Sequence, residues 1–399
     1  MTSLLVIVVL VLLGIAIWQL TKIFHLTQVG AATYNENPEV ASDKDNKVNG
    51  YLMFGFLGFI YVFTIYSISK WGNLLLGTPA SAHGPQYDSL MSISMWIIGI
   101  VQVITQFLLH YFAFIYRGEI GKKAFYYADN DKLEFIWTII PVIVLAGLIL
   151  YGLYAWTNIM FIDEESKEDA LYVEVYGKQF NWEVRYAGKD GKLGKANIRY
   201  IEGVNTLGVD MGDANAQDDI QASELHLPKG RQVIFKFRSQ DVLHSAYMPH
   251  FRAQMNVVPG MVTQFAFVPT VTTDEMRQDP AIMSKVAHIN ELRSKQSAKA
   301  TAEGGAAVEP YTFDYLLLCN KICGASHYNM QMKVVVEDEA TFNKWLNSKQ
   351  TLAAAVKESK KDAAAPATDE TSPEKAKDTT NTTKPDSTAT MTVAQVTKK

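Results

Sequence analysis

The chain has 399 residues, a formal net charge of -4 and 48% hydrophobic residues. A near-neutral balance with no basic stripe excludes the electrostatic footprint of a nucleic-acid binder. Its two cysteines, Cys319 and Cys323, are too few for a disulfide-stapled secreted scaffold.

In chain order, the first elements are four apolar runs, 4–20, 51–68, 94–116 and 135–159, none of which contains Lys, Arg, Asp or Glu. Each is about 17–25 residues long, enough for a helix to cross a bilayer. The runs lack strand alternation, and only helices and closed barrels satisfy their backbone in lipid, so four membrane helices are expected. The first run follows Met1, Thr2 and Ser3, which carry no positive charge. It therefore reads as a retained anchor rather than a cleaved signal. The loop before residue 135 carries Arg117, Lys122, Lys123 and Lys132, whereas the loop after residue 68 carries only Lys70. The positive-inside rule puts the first of these loops in the cytoplasm. Everything after Phe161 then faces the periplasm of a bacterial inner membrane.

From residue 170 the pattern changes to short runs rich in β-branched and aromatic residues, broken by Gly, Pro, Asn and Asp. Strands are expected at 170–176, 181–186, 197–201, 224–227, 232–237, 262–268, 311–318 and 331–337. This spacing predicts an antiparallel sandwich or barrel. Helices are expected at 273–297, as an insertion within about 271–308, and at 339–357. From about residue 350 the composition turns to Ala, Thr, Lys, Asp, Glu and Pro without aromatics. Such a segment buries too little apolar surface to offset its ordering entropy, so a disordered tail is expected. The expected domains are 1–90 (two N-terminal membrane helices), 91–160 (a membrane hairpin), 161–349 (the β domain) and 350–399 (the tail).

Chemistry concentrates in Cys319-Asn-Lys-Ile-Cys323-Gly-Ala-Ser-His327-Tyr-Asn-Met330. Two thiols, an imidazole and a thioether form a soft donor set that suits copper. Zinc would use Cys and His but has little use for Met. Upstream, Ser239-Gln-Asp241-Val-Leu-His244-Ser supplies a second histidine after a Val-, Ile- and Phe-rich strand. A mononuclear blue-copper site needs one Cys; this chain has two, and two thiolates can bridge two metals. A disulfide between them is the plainer alternative, but it explains neither His327 nor Met330. His25, His83, His110, His226, His250 and His288 have no comparable neighbourhood and read as surface or hydrogen-bonded residues. No C-x-x-C-H haem attachment occurs.

These two stretches resemble the halves of the dinuclear copper site (CuA) of the cytochrome c oxidase subunit II family. Here the likeness is to a bacterial type with two extra N-terminal helices. The Leu133-to-Pro141 segment resembles the start of the family's second membrane helix, and Val258-Pro-Gly260 matches a turn after the His strand. The resemblance covers roughly residues 94–336. It implies a cupredoxin-like sandwich in which His244, Cys319, Cys323, His327, Met330 and the Lys321 backbone carbonyl hold copper. It also implies haem and CuB only in a partner subunit I, other oxidase subunits, proton pumping, and electron delivery by cytochrome c. The two extra helices and the insertion suggest contact with an upstream complex such as alternative complex III, whose cytochrome c domain would be the donor.

Two positions qualify the likeness and a third extends it. Lys321 stands where the family has a Glu that helps bind magnesium. A charged lysine has no acceptor to offer a cation, which puts a magnesium site in question. The run Gly177-Lys178-Gln179-Phe180-Asn181-Trp182 has Phe180 where the family's electron-accepting Trp stands. Trp182 either contributes to that surface or packs the sandwich. Glu134 matches the acidic residue at the mouth of a proton pathway, or simply favours a helix N-terminus. The alternatives to an electron-relay subunit are a copper-free quinol oxidase subunit II and a membrane-anchored copper carrier.

Overall fold

In the computed structural model, which describes residues 11–23, 42–72, 77–119, 121–123 and 125–364, the apolar runs are helical. The described part of the first run forms α1 (Val11–Ile23); residues 4–10 lie outside the described residues. Three longer helices follow: α2 (Asp43–Trp71), α3 (Gly84–Ile115) and α4 (Asp131–Met160). Each is long and apolar enough to cross a membrane. The starts of α2 and α4 are set by side-chain caps that satisfy otherwise unpaired N–H groups. Ser42 accepts from Asp45 N–H, and Asn130 accepts from Leu133 N–H. Helix α2 packs on α3, where Tyr61 Oη donates to the Val103 carbonyl at 2.7 Å.

Beyond α4 a short helix α5 (Glu164–Glu168) leads into a β domain. Its strands are β1 (Leu171–Lys178), β2 (Asn181–Tyr186), β3 (Ile220–Ala222), β4 (Leu225–Pro228), β5 (Val233–Ser239), β6 (His244–Met248), β7 (Ala253–Val257), β8 (Thr263–Phe267), β9 (Tyr315–Cys319) and β10 (Gln331–Glu337). Two five-stranded sheets form, ordered β3-β2-β1-β5-β8 and β4-β10-β9-β6-β7. Val173 and Val175 of β1 and Phe235 and Phe237 of β5 join Leu317 of β9 and Val334 and Val336 of β10 in one core. Period-2 alternation turns these residues inward. On the outer face, Glu174 is nonetheless buried and is held by Arg185 at 2.8 Å and Arg238 at 2.5 Å.

The structure corrects several expectations. The sheets are mixed rather than antiparallel, because β1 pairs parallel with β5 and β4 pairs parallel with β10. Residues 197–201 form a 3-10 turn at Ile198–Tyr200, where the Asn197 side chain takes the Arg199 N–H. Strands β3, β6 and β7 were not expected. The insertion is two helices, α6 (Thr273–Arg277) and α7 (Pro280–Ala302). Pro280 has no N–H to continue α6, and Asp279 caps the new helix. The 339–357 helix divides into α8 (Glu339–Asn347) and α9 (Leu352–Ala364). Helix α9 lies where a disordered tail was expected. It is held because Leu352 is buried with Tyr176 and Leu207, and its N–H reaches the Asp219 carbonyl at 2.8 Å. The remaining tail, residues 365–399, lies outside the described residues.

The segment between α2 and α3 is bound to the β domain. Ala80 N–H donates to the His250 carbonyl at 2.8 Å and Ser81 Oγ to the Phe251 carbonyl at 2.7 Å. Asp88 makes a two-point ion pair with Arg252, at 2.7 and 2.8 Å. Thr78 Oγ1 donates to Asp279 Oδ2 at 2.7 Å and so ties this segment to the insertion.

Candidate metal centre

The centre is built where two neighbouring strands end. Antiparallel pairing sets Ala246 of β6 against Cys319 of β9. Extending that register by two residues brings His244 opposite Lys321, although His244 and Cys319 are 75 residues apart in sequence. The loop between β9 and β10 is closed at its base by Cys319 N–H on the Met330 carbonyl at 3.1 Å. A short turn, His327–Asn329, then aims His327 and Met330 back at the cysteines.

Every donor expected from the sequence converges there. Cys319 Sγ lies 3.8 Å from His244 Nδ1, 3.2 Å from the Lys321 carbonyl and 3.9 Å from Cys323 Sγ. Cys323 Sγ lies 3.6 Å from His327 Nδ1 and 3.7 Å from Met330 Sδ. Ligand atoms of His244, Cys319 and Cys323 all lie within 4.8 Å of one another. The sulfurs are far beyond the roughly 2.05 Å of a disulfide, and both cysteines are free. His244, Cys323 and Met330 are buried, so the cluster is screened from bulk water.

Second contacts orient these donors, as metal sites require. His244 Nε2 lies 2.8 Å from Asp241 Oδ1. A proton on Nε2 donates to that carboxylate and leaves Nδ1 free to face the cysteines. Burial raises the Asp241 carboxyl pKa, but hydrogen bonds from Gln179 N–H, His244 and Val242 N–H outweigh it and hold it low. The Cys323 thiol is pushed up to about 11 by burial and by the neighbouring Cys319 sulfur. A soft metal must displace that proton to bind, so uptake releases acid.

The tip of the β1–β2 hairpin closes the centre from one side. Gln179 Nε2 donates to the Cys323 carbonyl. Phe180 is half-buried against the core, and its ring lies against Gly324. Trp182 is 1% exposed and meets the His244 ring edge-on, with centroids 5.8 Å apart, so it is a core residue rather than a surface one. Lys321 is exposed. Glu134 lies far away in the first turn of α4, exposed and behind the Asn130 cap. His226 stacks on Trp345 and His250 packs between Phe313 and Tyr315, so neither faces the centre. Sequence reasoning missed Asp241 as a partner of the site. An acid three positions before a candidate ligating histidine is the signal that finds it.

The donor set, two thiols, two imidazoles, a thioether and a carbonyl, fits copper in chemistry as well as in convergence. Residues 69–155 match the family described as "Cytochrome C oxidase subunit II, transmembrane domain". The chain is 33% identical over 278 residues to the alternative cytochrome c oxidase subunit 2 of Bradyrhizobium diazoefficiens, covering 69% of this chain and 84% of that one. It is 22% identical over 281 residues to cytochrome c oxidase subunit 2 of Cereibacter sphaeroides, covering 67% and 77%. A crystal structure of the periplasmic domain of subunit II of cytochrome oxidase from Bradyrhizobium japonicum covers 47% of this chain and 94% of its own, at 18% identity and a TM-score of 0.25. The membrane hairpin and the extent of the first match agree, and the chain belongs to the cytochrome c oxidase subunit II family.

Proposed function

We propose that this chain accepts electrons from a cytochrome c, or from a cytochrome c domain of an upstream complex, at a dinuclear copper centre. It passes them to haem in a partner subunit I, where oxygen is reduced to water and protons are pumped. The observation that carries this reading is the convergence of four further donors, two imidazoles, a thioether and a carbonyl, on two free thiols. The Cys319 and Cys323 thiolates would hold both metals, with His244, His327, Met330 and the Lys321 carbonyl completing the set. Bound there, copper supplies reversible one-electron transfer. Asp241 keeps the His244 imidazole in the ligating tautomer, and burial of Cys323 and Met330 keeps water off the sulfurs.

Phe180 is the aromatic position from which electrons reach the centre, because its ring touches the copper loop while remaining half-exposed. Ile322 and Tyr328 flank the ligands at 86% and 87% exposed. Large apolar residues so placed suit burial against another oxidase subunit. The first apolar run completes four crossings, which sets the β domain on the periplasmic side of a bacterial inner membrane. Glu134 then stands at the cytoplasmic mouth of a proton path shared with subunit I. The α2–α3 segment and the insertion, joined by Thr78 and Asp279, form one accessory face for an upstream complex such as alternative complex III.

The test is copper loading of the full-length chain in detergent, with copper counted per chain and EPR and visible spectra recorded. Two coppers sharing one unpaired electron, with a purple colour, are expected. One copper, or none with the cysteines oxidised, would make the copper-free quinol oxidase subunit the better reading.

A further inference from the structure

His244 is fully buried, with 0% of its surface exposed, so its ring plane is set by its neighbours. Asp241 holds one edge through Nε2 at 2.8 Å. Trp182 meets the ring at 62° to its plane. Behind both rings lies Gly177, the register partner of Trp182 across the β1–β2 hairpin. A Cβ at position 177 would stand 2.9 Å from Trp182 Cζ3 and 3.2 Å from His244 Cδ2. Ordinary carbon contacts lie at roughly 3.5–4.0 Å. The two rings therefore meet over a space that only glycine leaves open.

The same strand end is stitched to the turn that carries Asp241. Gln240 N–H donates to the Gly177 carbonyl at 2.9 Å, and Gln179 N–H donates to Asp241 Oδ2 at 2.7 Å. The Trp182 indole N–H is buried with no acceptor among the described residues. A phenyl ring would strand no donor, but it is smaller and would leave part of the space against His244 unfilled.

We propose that Gly177 and Trp182 are positioning residues for the metal centre: the missing side chain at 177 lets the indole wedge against His244 and fix the angle at which Nδ1 meets the cysteine sulfurs. This rests on the copper reading above. A methyl group at 177 has to move one ring by about half an ångström, which is the whole tolerance of a functional site. Both rings are buried, so the shift cannot be relieved by swinging either ring into solvent.

The test uses the full-length chain in detergent, with Gly177→Ala, Trp182→Phe and, as a control for general loosening of the same strand, Val173→Ala. Copper per chain, copper affinity against a competing chelator, the EPR hyperfine pattern and the visible band are measured. Gly177→Ala and Trp182→Phe are expected to keep the parental copper count, lose about 10- to 100-fold in affinity and shift both spectra. Val173→Ala is expected to keep parental spectra. Parental spectra and affinity in either site variant overturn the proposal, and Trp182→Phe carries the test should Gly177→Ala fail to fold. If the parent itself loads no copper pair, the copper reading fails, and positioning is then read from metal-free crystal structures. A His244 Nδ1 to Cys319 Sγ distance longer in Gly177→Ala than in the parent supports it; an unchanged distance overturns it.

Discussion

Replacing Asp241 by Asn removes the negative charge behind His244 while keeping the side chain's size. The carboxylate takes three hydrogen bonds: His244 Nε2 at 2.8 Å, Gln179 N–H at 2.7 Å and Val242 N–H at 2.7 Å. An amide keeps one acceptor oxygen and turns the other into an NH2 donor, so it polarises the imidazole less and leaves an N–H on one side without an acceptor. Loss of such a partner typically costs 10- to 100-fold in metal affinity. That corresponds to about 1.4–2.7 kcal/mol. Asp241→Ala should cost the same affinity and, in addition, about 1 kcal/mol of stability by releasing the two backbone donors. The assay is copper titration of the full-length chain against a chelator, paired with a thermal melt of the metal-free protein. Asp241→Asn is expected to weaken copper by that factor while lowering the metal-free melt by no more than Asp241→Ala does. Parental copper affinity in both variants would refute the assigned role, and an equal loss of melt and affinity in Asp241→Asn would make the residue structural.

Three further outcomes are expected. Burial, aided by Lys285 and Arg252, lowers His250 to about 4 from an ordinary value of 6.5. The unfolded chain then binds the proton more readily, so stability is full above about 6.5 and falls as pH drops towards 4, by about 3 kcal/mol. His250→Phe should flatten that acid limb in melts taken from pH 7.5 to 4.5; an unchanged slope would count against it. Leu352→Ala leaves a void against Tyr176 and Leu207 and should cost about 2–3 kcal/mol in a denaturant melt, whereas a tail with no role in the fold would show none. Glu134→Gln in an assembled oxidase should slow proton uptake severalfold with parental copper spectra. Unchanged turnover, with at most about 1 kcal/mol lost in stability, would leave Glu134 a helix-dipole residue only.

Much of the candidate metal centre was legible in the chain itself. Cys319, Cys323, His327 and Met330 lie within one hairpin loop, so local spacing alone brings four donors near each other, and their softness suits copper. The membrane helices were legible for a similar reason: lipid leaves an uncharged run of that length no other way to satisfy its backbone. Most strand positions followed from short β-branched and aromatic runs set between turn residues, a signal that each segment carries without reference to a partner.

Pairing, however, is a property of two segments at once. That β1 lies parallel to β5 and β4 parallel to β10 depends on which apolar faces close the core together, and no local pattern carries it. The same holds for the register of Ala246 with Cys319, which delivers His244 to a loop 75 residues away. Helix α9 looked like tail because its composition is polar on average, yet burial of Leu352 and Ala353 suffices to dock its first turn. The α2–α3 segment has no distinctive composition either. Its place is set by Ala80 and Ser81, and by Asp88 in the first turns of α3, meeting partners some 170 residues later. Gly177 shows the limit most plainly: the sequence determined that a glycine stands in the hairpin, and only the tertiary structure decided that the Trp182 indole and the His244 imidazole would close over it.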